Sequence, residues 1–227
     1  MTVMPGKESI FPPPESADEN GIVALSRNLN CAMLADAYHH GIFPWPFGED
    51  VPYIPWASPE ERGVLFCDEL HIPRSLQREL KKNQFTFKVD SAFEEVIANC
   101  ACAERPGQEE TWITAEMIKV YTEFHHLNYA HSFEAYDSDG QLAGGLYGIS
   151  IGRIFCGESM FYRVSGASKF AFVNMVQFLQ KRGVVLIDTQ MVTSATAAFG
   201  AKLISRSEYL KLLKLYGGKP LDFRGTV

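Results

Sequence analysis

Apolar and polar positions alternate in ways that divide the chain into segments. "VVLIDTQ" (184–190) is apolar until Asp188, the pattern of a strand covered on both faces. "HSFEAY" and "QLAGGLYGISI" flank the turn "DSDG" and predict a hairpin. A second turn, "SIGR", leads into "IFCGESMF" (154–161). Helical spacing is strongest in "SGASKFAFVNMVQFLQKRG", with Ser165 expected as its cap and Gly183 as its stop. "TAEMIKVYTEFHHL" predicts another helix, with Thr114 at the cap and Met117 at the third helical position. Asn30 caps "CAMLADAYHH", which Gly41 ends, and "SAFEEVIANCACAE" predicts a capped amphipathic helix. "GVLFC" reads as a strand, and "SEYLKLLKLY" as a closing helix. Pro12-Pro13-Pro14 forbids helix in the opening arm, and "FPWPFGEDVPYIPWASP" (43–59), with five prolines, predicts a loop.

This order predicts an α+β fold: an N-terminal arm and small domain over 1–60, then a larger domain over 61–227, with a weaker break in "ERPGQEE" (104–110). The order in the second half resembles the acetyltransferase-like (GNAT-like) fold, whose mixed, splayed sheet opens a ligand cleft. At 227 residues and 46% hydrophobic content, the chain can bury a substantial core. The first twenty residues hold prolines and charges where a signal peptide would be apolar, and no apolar run is long enough to span a membrane. Five scattered cysteines suit a reducing cytoplasm better than a disulfide framework. Net charge is −6, yet residues 71–88 carry Arg74, Arg78, Lys81, Lys82 and Lys88 against Glu79 alone. Arg74, Arg78 and Lys82 would share one helix face, as a solvated surface or as a stripe that tracks nucleic-acid phosphates.

Candidate chemistry concentrates in two segments. Glu158 sits among Phe155, Cys156, Met160 and Phe161 with no lysine or arginine in its run. A carboxylate there needs a cation from elsewhere in the fold or from a substrate. Asp188 and Gln190 end the buried strand with side chains on one face. Metal binding is not expected, since Cys100-x-Cys102 lacks a second pair and the histidines stand as neighbours. "RVSGAS" (163–168) opens a helix and loosely matches the pyrophosphate loop of acyl-CoA-dependent acetyltransferases, except at Ser168.

"GIFPW" (41–45), "ETWIT" (110–114), "GGLYG" (144–148), "IFCGESMF", "ASKFA" (167–171) and "LIDTQ" (186–190) together resemble the bacterial leucyl/phenylalanyl-tRNA–protein transferase family. The resemblance implies transfer of leucine or phenylalanine from its tRNA to a protein whose N-terminus is lysine or arginine, marking it for N-end rule degradation, with no cofactor. It assigns Glu158, Asp188 and Gln190 to the reacting ester. Trp45, Trp112 and Tyr121 would hold the 3′-terminal adenosine. Leu146, Phe155, Met160, Phe172, Met175 and Ile187 would form the aminoacyl side-chain pocket. Arg74, Arg78, Lys81 and Lys82 would contact the tRNA backbone. The expected protein is a cytoplasmic monomer. Where relatives read Gly-Gly-Asp-Leu, this chain has Ser26-Arg27-Asn28-Leu29, and Leu146 stands where methionine is common. The competing readings are an acyl-CoA-dependent N-acyltransferase and a non-catalytic RNA- or peptide-binding module.

Overall fold

The apolar runs become strands, and their pairing decides where the site lies. A computed structural model describes residues 9–45, 52–82, 84–103 and 113–223. A small sheet pairs β1 (Ile22–Ser26), β2 (Phe43–Pro44) and β3 (Ile54–Ala57) in the order β1-β3-β2. A larger one joins β4 (Glu61–Phe66), β5 (Thr86–Val89), β6 (Ala130–Tyr136), β7 (Leu142–Ile151), β8 (Ile154–Tyr162), β9 (Leu186–Gln190) and β10 (Lys202–Ser205) in the order β10-β4-β9-β8-β7-β6-β5. All its pairs are antiparallel except β8–β9, so the fold is α+β with a mixed sheet.

Helices cover both faces of the larger sheet. The helices are α1 (Cys31–His39), α2 (Arg74–Leu80), α3 (Phe93–Cys102), α4 (Ala115–His126), α5 (Ala167–Lys181), α6 (Ser194–Ala197) and α7 (Arg206–Tyr216). On one face α1, α3, α4 and α7 pack over Val64, Tyr147, Ile149, Ile154, Cys156 and Leu186, in a core that continues into the small sheet through Phe43 and Trp56. On the other, α5 packs over Leu65, Phe133, Phe155 and Ile187. Alternation along β8 and β9 sends Ile154, Cys156 and Leu186 one way and Phe155 and Ile187 the other.

Several sequence expectations meet the backbone differently. Asn30 and Thr114 do cap α1 and α4, accepting from Met33 N at 3.0 Å and Met117 N at 3.2 Å. Ser165 does not cap α5: Gly166 holds that position at φ +87°, without a side-chain bond. The first turn of α3 also lacks a local cap, and buried Glu134 from β6 serves it, accepting from Ala92 N at 3.4 Å and from the Ser91 hydroxyl at 3.1 Å. The proline-rich 43–59 stretch supplies β2 and β3 instead of a plain loop. Trp56 in β3 is fully buried and donates to the Ser26 hydroxyl at 2.8 Å, which gives a role to one of the residues replacing the relatives' glycines. The chain leaves α2 after Leu80, so Lys82 follows on a turn and the expected three-residue helical stripe reduces to Arg74 and Arg78.

The parallel β8–β9 ladder ends at Cys156↔Asp188, although both strands continue. From that point they part as a fork. A bulge lies on each side of it. Gly148 faces Gly157 and Tyr147 faces Ser159, leaving Glu158 unopposed in β8. Val64 faces Asp188 and Gly63 faces Gln190, leaving Thr189 unopposed in β9. A bulge adds local twist and re-aims a side chain. This bulge takes Glu158 out of the ladder with β7.

The first bulge depends on Gly148. A Cβ there would run into the Cys156 carbonyl oxygen and the Phe155 ring, whereas one at Gly157 would meet only the Asp188 carbonyl oxygen at 3.7 Å. Gly148→Ala is therefore expected to lose about 1–3 kcal/mol of stability, an overpacking cost, and Gly157→Ala much less. Urea unfolding midpoints compare the two; equal losses would show that the bulge tolerates a side chain at position 148.

Candidate active site

At the fork, a glutamate and a glutamine from different strands meet. Gln190 Nε2 donates to Glu158 Oε1 at 2.9 Å. Glu158 Oε2 is shielded from solvent and has no hydrogen-bond partner among the described residues, and no ion pair forms to Glu158 among them. Gln190 itself sits at φ +62°, a left-handed conformation uncommon for a residue with a side chain. Two buried tyrosines from α1 and α4 stand beside Glu158: the hydroxyls of Tyr38 and Tyr121 lie 2.8 Å apart. Burial first, and then the Asp188 charge, push the Glu158 carboxyl up to about 7, against the pull of the Tyr38 hydroxyl, the Gln190 amide and Arg62.

Asp188 has the opposite surroundings. Its Oδ1 accepts from Arg62 Nε at 2.9 Å and from the Gln190 backbone N–H at 2.9 Å. Its Oδ2 accepts from Arg62 Nη2 at 2.7 Å and from the Tyr209 hydroxyl at 2.8 Å. Both partners of the pair are buried, Arg62 at 2% and Asp188 at 0% exposure. Sequence reasoning placed Asp188 in the cleft with Gln190; the structure instead encloses it. Arg62, Tyr38 and Tyr209 escaped that reasoning. Arg62 follows Glu60 and Glu61, so it reads as surface. The signal was nevertheless present in "LIDTQ": a carboxylate closing an apolar run demands a cation, as was argued for Glu158.

The remaining expected residues divide into clusters. Leu146, Phe155, Phe172, Met175 and Ile187 lie together in the core beneath α5, and half-buried Met160 packs against it. They occupy the sheet face opposite Tyr38 and Tyr121. Trp45 is half-buried, with its ring 5.6 Å from that of Phe43. Tyr121 is fully buried, edge-on to Tyr147 at 5.7 Å, with no exposed face for a base to stack on. Trp112 lies outside the described residues. Arg74, Arg78, Lys81 and Lys82 are all exposed and form no ion pair among the described residues.

The fold also assembles a group that spacing did not reveal: Asp90, His125 and His131, residue types that could hold a metal ion. Their bonds already engage one another and the backbone. His131 Nδ1 donates to Asp90 Oδ2 at 2.8 Å, His125 Nδ1 donates to the Ala130 carbonyl at 2.8 Å, and Ser132 N donates to Asp90 Oδ1 at 2.9 Å. The Nδ1 atoms and the Asp90 oxygens are thus engaged, while His131 Nε2 is buried with no hydrogen-bond partner among the described residues.

Comparison with known proteins places these residues in context. The family model described as leucyl/phenylalanyl-tRNA protein transferase matches residues 64–214. A leucyl/phenylalanyl-tRNA–protein transferase of Chromobacterium violaceum is 50% identical over 92% of this chain and 89% of that protein. One of Anaeromyxobacter dehalogenans is 47% identical over 91% and 88%. One of Methylococcus capsulatus is 47% identical over 93% and 89%. Among solved structures, a GCN5-related glucosamine N-acetyltransferase region of a fungal β-N-acetylglucosaminidase aligns at TM-score 0.46 and 12% identity, over 74% of this chain and 21% of that one.

The raised Glu158 carboxyl has a consequence for stability. Its folded value, about 7, exceeds the ordinary 4.5, so the folded state binds the extra proton. Stability from this group is therefore highest below about pH 4.5 and declines as pH rises toward about 7. Glu158→Gln, which cannot ionise, should remove that part of the decline and be the more stable protein at pH 8. Denaturant unfolding of both proteins at pH 5 and pH 8 measures the difference; a Gln variant that loses stability at both pH values would make Glu158 a structural ion.

Proposed function

We propose, for a chain that belongs to the leucyl/phenylalanyl-tRNA–protein transferase family, that the fork between β8 and β9 is where the aminoacyl group changes hands. The protein is an aminoacyltransferase that acts on aminoacyl-tRNA and a protein acceptor. It takes leucine or phenylalanine from the tRNA and joins it to an N-terminal lysine or arginine, the product being a target for N-end rule degradation in the cytoplasm. Among the described residues no helix is long and apolar enough to cross a membrane. One chain supplies Glu158, Gln190 and the apolar cluster, which supports a working monomer.

The observation that carries the reading is Glu158. It is a shielded carboxylate bonded to Gln190 through one oxygen, with the Tyr38 and Tyr121 hydroxyls beside it, and among the described residues no cation forms an ion pair with it. Both substrates bring ammonium groups. The acceptor's α-amine, once neutral, attacks the ester carbonyl carbon; a C–N bond forms and the proton leaves nitrogen. Glu158, with a value of about 7, is suited to accept that proton near neutral pH and return it to the departing ribose oxygen. Gln190 is suited to orient the amine or to donate to the developing oxyanion. Asp188 has its oxygens occupied by four donors and acts by holding Gln190. The ester is already activated, so positioning supplies much of the rate.

The rest of the donor is assigned by chemistry. Trp45 and Trp112 stack the terminal adenine, a contact worth about 1–3 kcal/mol per base. Tyr121 serves the same end of the site through its hydroxyl beside Glu158 instead of through stacking. Leu146, Phe155, Met160, Phe172, Met175 and Ile187 receive the side chain of the transferred residue, Met and Phe adapting to leucine or phenylalanine. Arg74, Arg78, Lys81 and Lys82 contact tRNA phosphates. The acyl-CoA reading rests on the fold pattern and on "RVSGAS", where Gly166 holds the N-cap of α5 without a side-chain bond.

Incubation with labelled leucyl-tRNA and a peptide that begins with arginine tests the function. Transfer without acetyl-CoA is expected; transfer from acetyl-CoA alone would overturn the reading. In that assay Glu158→Gln should lose at least about 10²-fold in kcat, within the range of general-base contributions, while remaining folded. The wild-type rate should fall as pH drops through about 7. A Gln variant with the wild-type rate and pH profile would remove Glu158 from the chemistry.

Replacing Arg74, Arg78 and Lys82 together by alanine should weaken tRNA binding and flatten its salt dependence without changing the preferred amino acid. Binding titrations at several salt concentrations read this, and an unchanged slope would leave the cluster as a solvated surface.

A further inference from the structure

We propose that Arg62 is a positioning residue for aminoacyl transfer: through Asp188 it fixes the backbone of Gln190, and so aims the Gln190 amide at Glu158. The proposal rests on the reading of the fork as the reaction site, and it names a residue outside the expected set.

The chain of contacts is continuous. Arg62 lies between two rings, its guanidinium carbon 4.3 Å from the Phe43 centroid and 4.5 Å from that of Tyr209. Nη1 donates to the Gly41 carbonyl at 3.3 Å, while Nε and Nη2 engage both oxygens of Asp188. This planar fork leaves Asp188 one orientation. In that orientation Oδ1 accepts the Gln190 N–H. The bond helps hold Gln190 in its left-handed conformation, which costs energy without such support. From that backbone the side-chain amide reaches Glu158 at 2.9 Å.

The clamp also crosses between sheets. Phe43 opens β2 of the small sheet, Gly41 precedes it, and Trp45 follows two residues after Phe43 with its ring against it. Arg62 is thus fastened at once to the segment carrying an adenine-stacking candidate and to the strand carrying the reacting amide. A point charge on a flexible stem does not reproduce this: lysine offers neither the bidentate fork nor a flat face for the two rings.

A structural ion pair and a positioning pair predict different behaviour. Arg62→Lys should retain the fold and lower kcat about 10²-fold, the cost of misplacing a reacting group by about an ångström, with KM for aminoacyl-tRNA within about twofold. The double variant Arg62→Met/Asp188→Leu removes the buried pair as a unit and should stay folded, because neither charge is left alone. It should still lose kcat, since Gln190 no longer has its anchor. Rescue of stability without rescue of kcat supports positioning. Wild-type kcat in the folded double variant would overturn it and leave Arg62 structural. If the double variant fails to fold, Arg62→Lys decides: a folded lysine variant with wild-type kcat overturns the proposal. Absence of transfer by the wild-type protein would instead sink the functional reading, and this proposal with it.

Discussion

The buried pair between Arg62 and Asp188 is the constraint on which the site depends. A carboxylate at the end of a core strand is costly unless its lone pairs are filled. Here four donors fill them, from β4, from α7 and from the last residue of the strand itself. Such a pair is poor evidence for stability in itself, because desolvating both ions offsets much of their attraction. Its value lies in orientation. It joins three elements far apart in the sequence and leaves the chain beyond Asp188 a single path, the one that carries Gln190 to the fork.

The fork is the second half of the same arrangement. β8 and β9 pair in parallel for three residues and then separate, and a bulge in each strand lies just beyond. Regular pairing would have kept Glu158 opposite a residue of β7. Glycines permit the irregularity: Gly148 lets Phe155 and the Cys156 carbonyl close in, and Gly63 does the same for the Met191 backbone, whose carbonyl carbon would lie 2.5 Å from an added Cβ. Packing and chemistry are thus set by the same few backbone positions. The apolar cluster beneath α5 lies on one face and the tyrosine–glutamate group on the other, and β8 and β9 part between them.

How much of this was legible in the sequence varied with the range of the interaction. Local signals were read well. Asn30 and Thr114 cap their helices, Gly183 at φ +85° stops α5, and the uninterrupted apolar run of β9 lies in the centre of the sheet. Local signals also misled where a tertiary contact took the residue. Ser91 was available to cap α3 but gives its hydroxyl to Glu134, which caps the helix from another strand. The run from Arg74 to Lys82 has helical spacing, but the helix ends at Leu80. Leu146, Phe155, Phe172, Met175 and Ile187 share one core cluster beneath the sheet, a placement their apolar character alone predicts. Arg62 was invisible because one residue among acidic neighbours carries no sign that distant elements will bury it. Tyr38 was hidden for the same reason: its meaning comes from Tyr121, 83 positions away.

The different surroundings of the two carboxylates explain why a site and a clamp can occupy adjacent strands. Asp188 and Arg62 cancel as charges, so the pair contributes geometry with little net field. Glu158 stands nearby, shielded, with Arg62 committed elsewhere and its own Oε2 open. Were Arg62 shared between them, Glu158 would be held as an ordinary ion-paired carboxylate and would be a weak proton acceptor at neutral pH. Confining the guanidinium to Asp188, between the rings of Phe43 and Tyr209, leaves Glu158 responsive to whatever cation enters the fork. An ammonium group arriving there finds an uncompensated charge in a low-dielectric setting, where attraction is stronger than in water. In the proposed reaction, the charge that is unfavourable in the empty protein is the one that a substrate ammonium would offset.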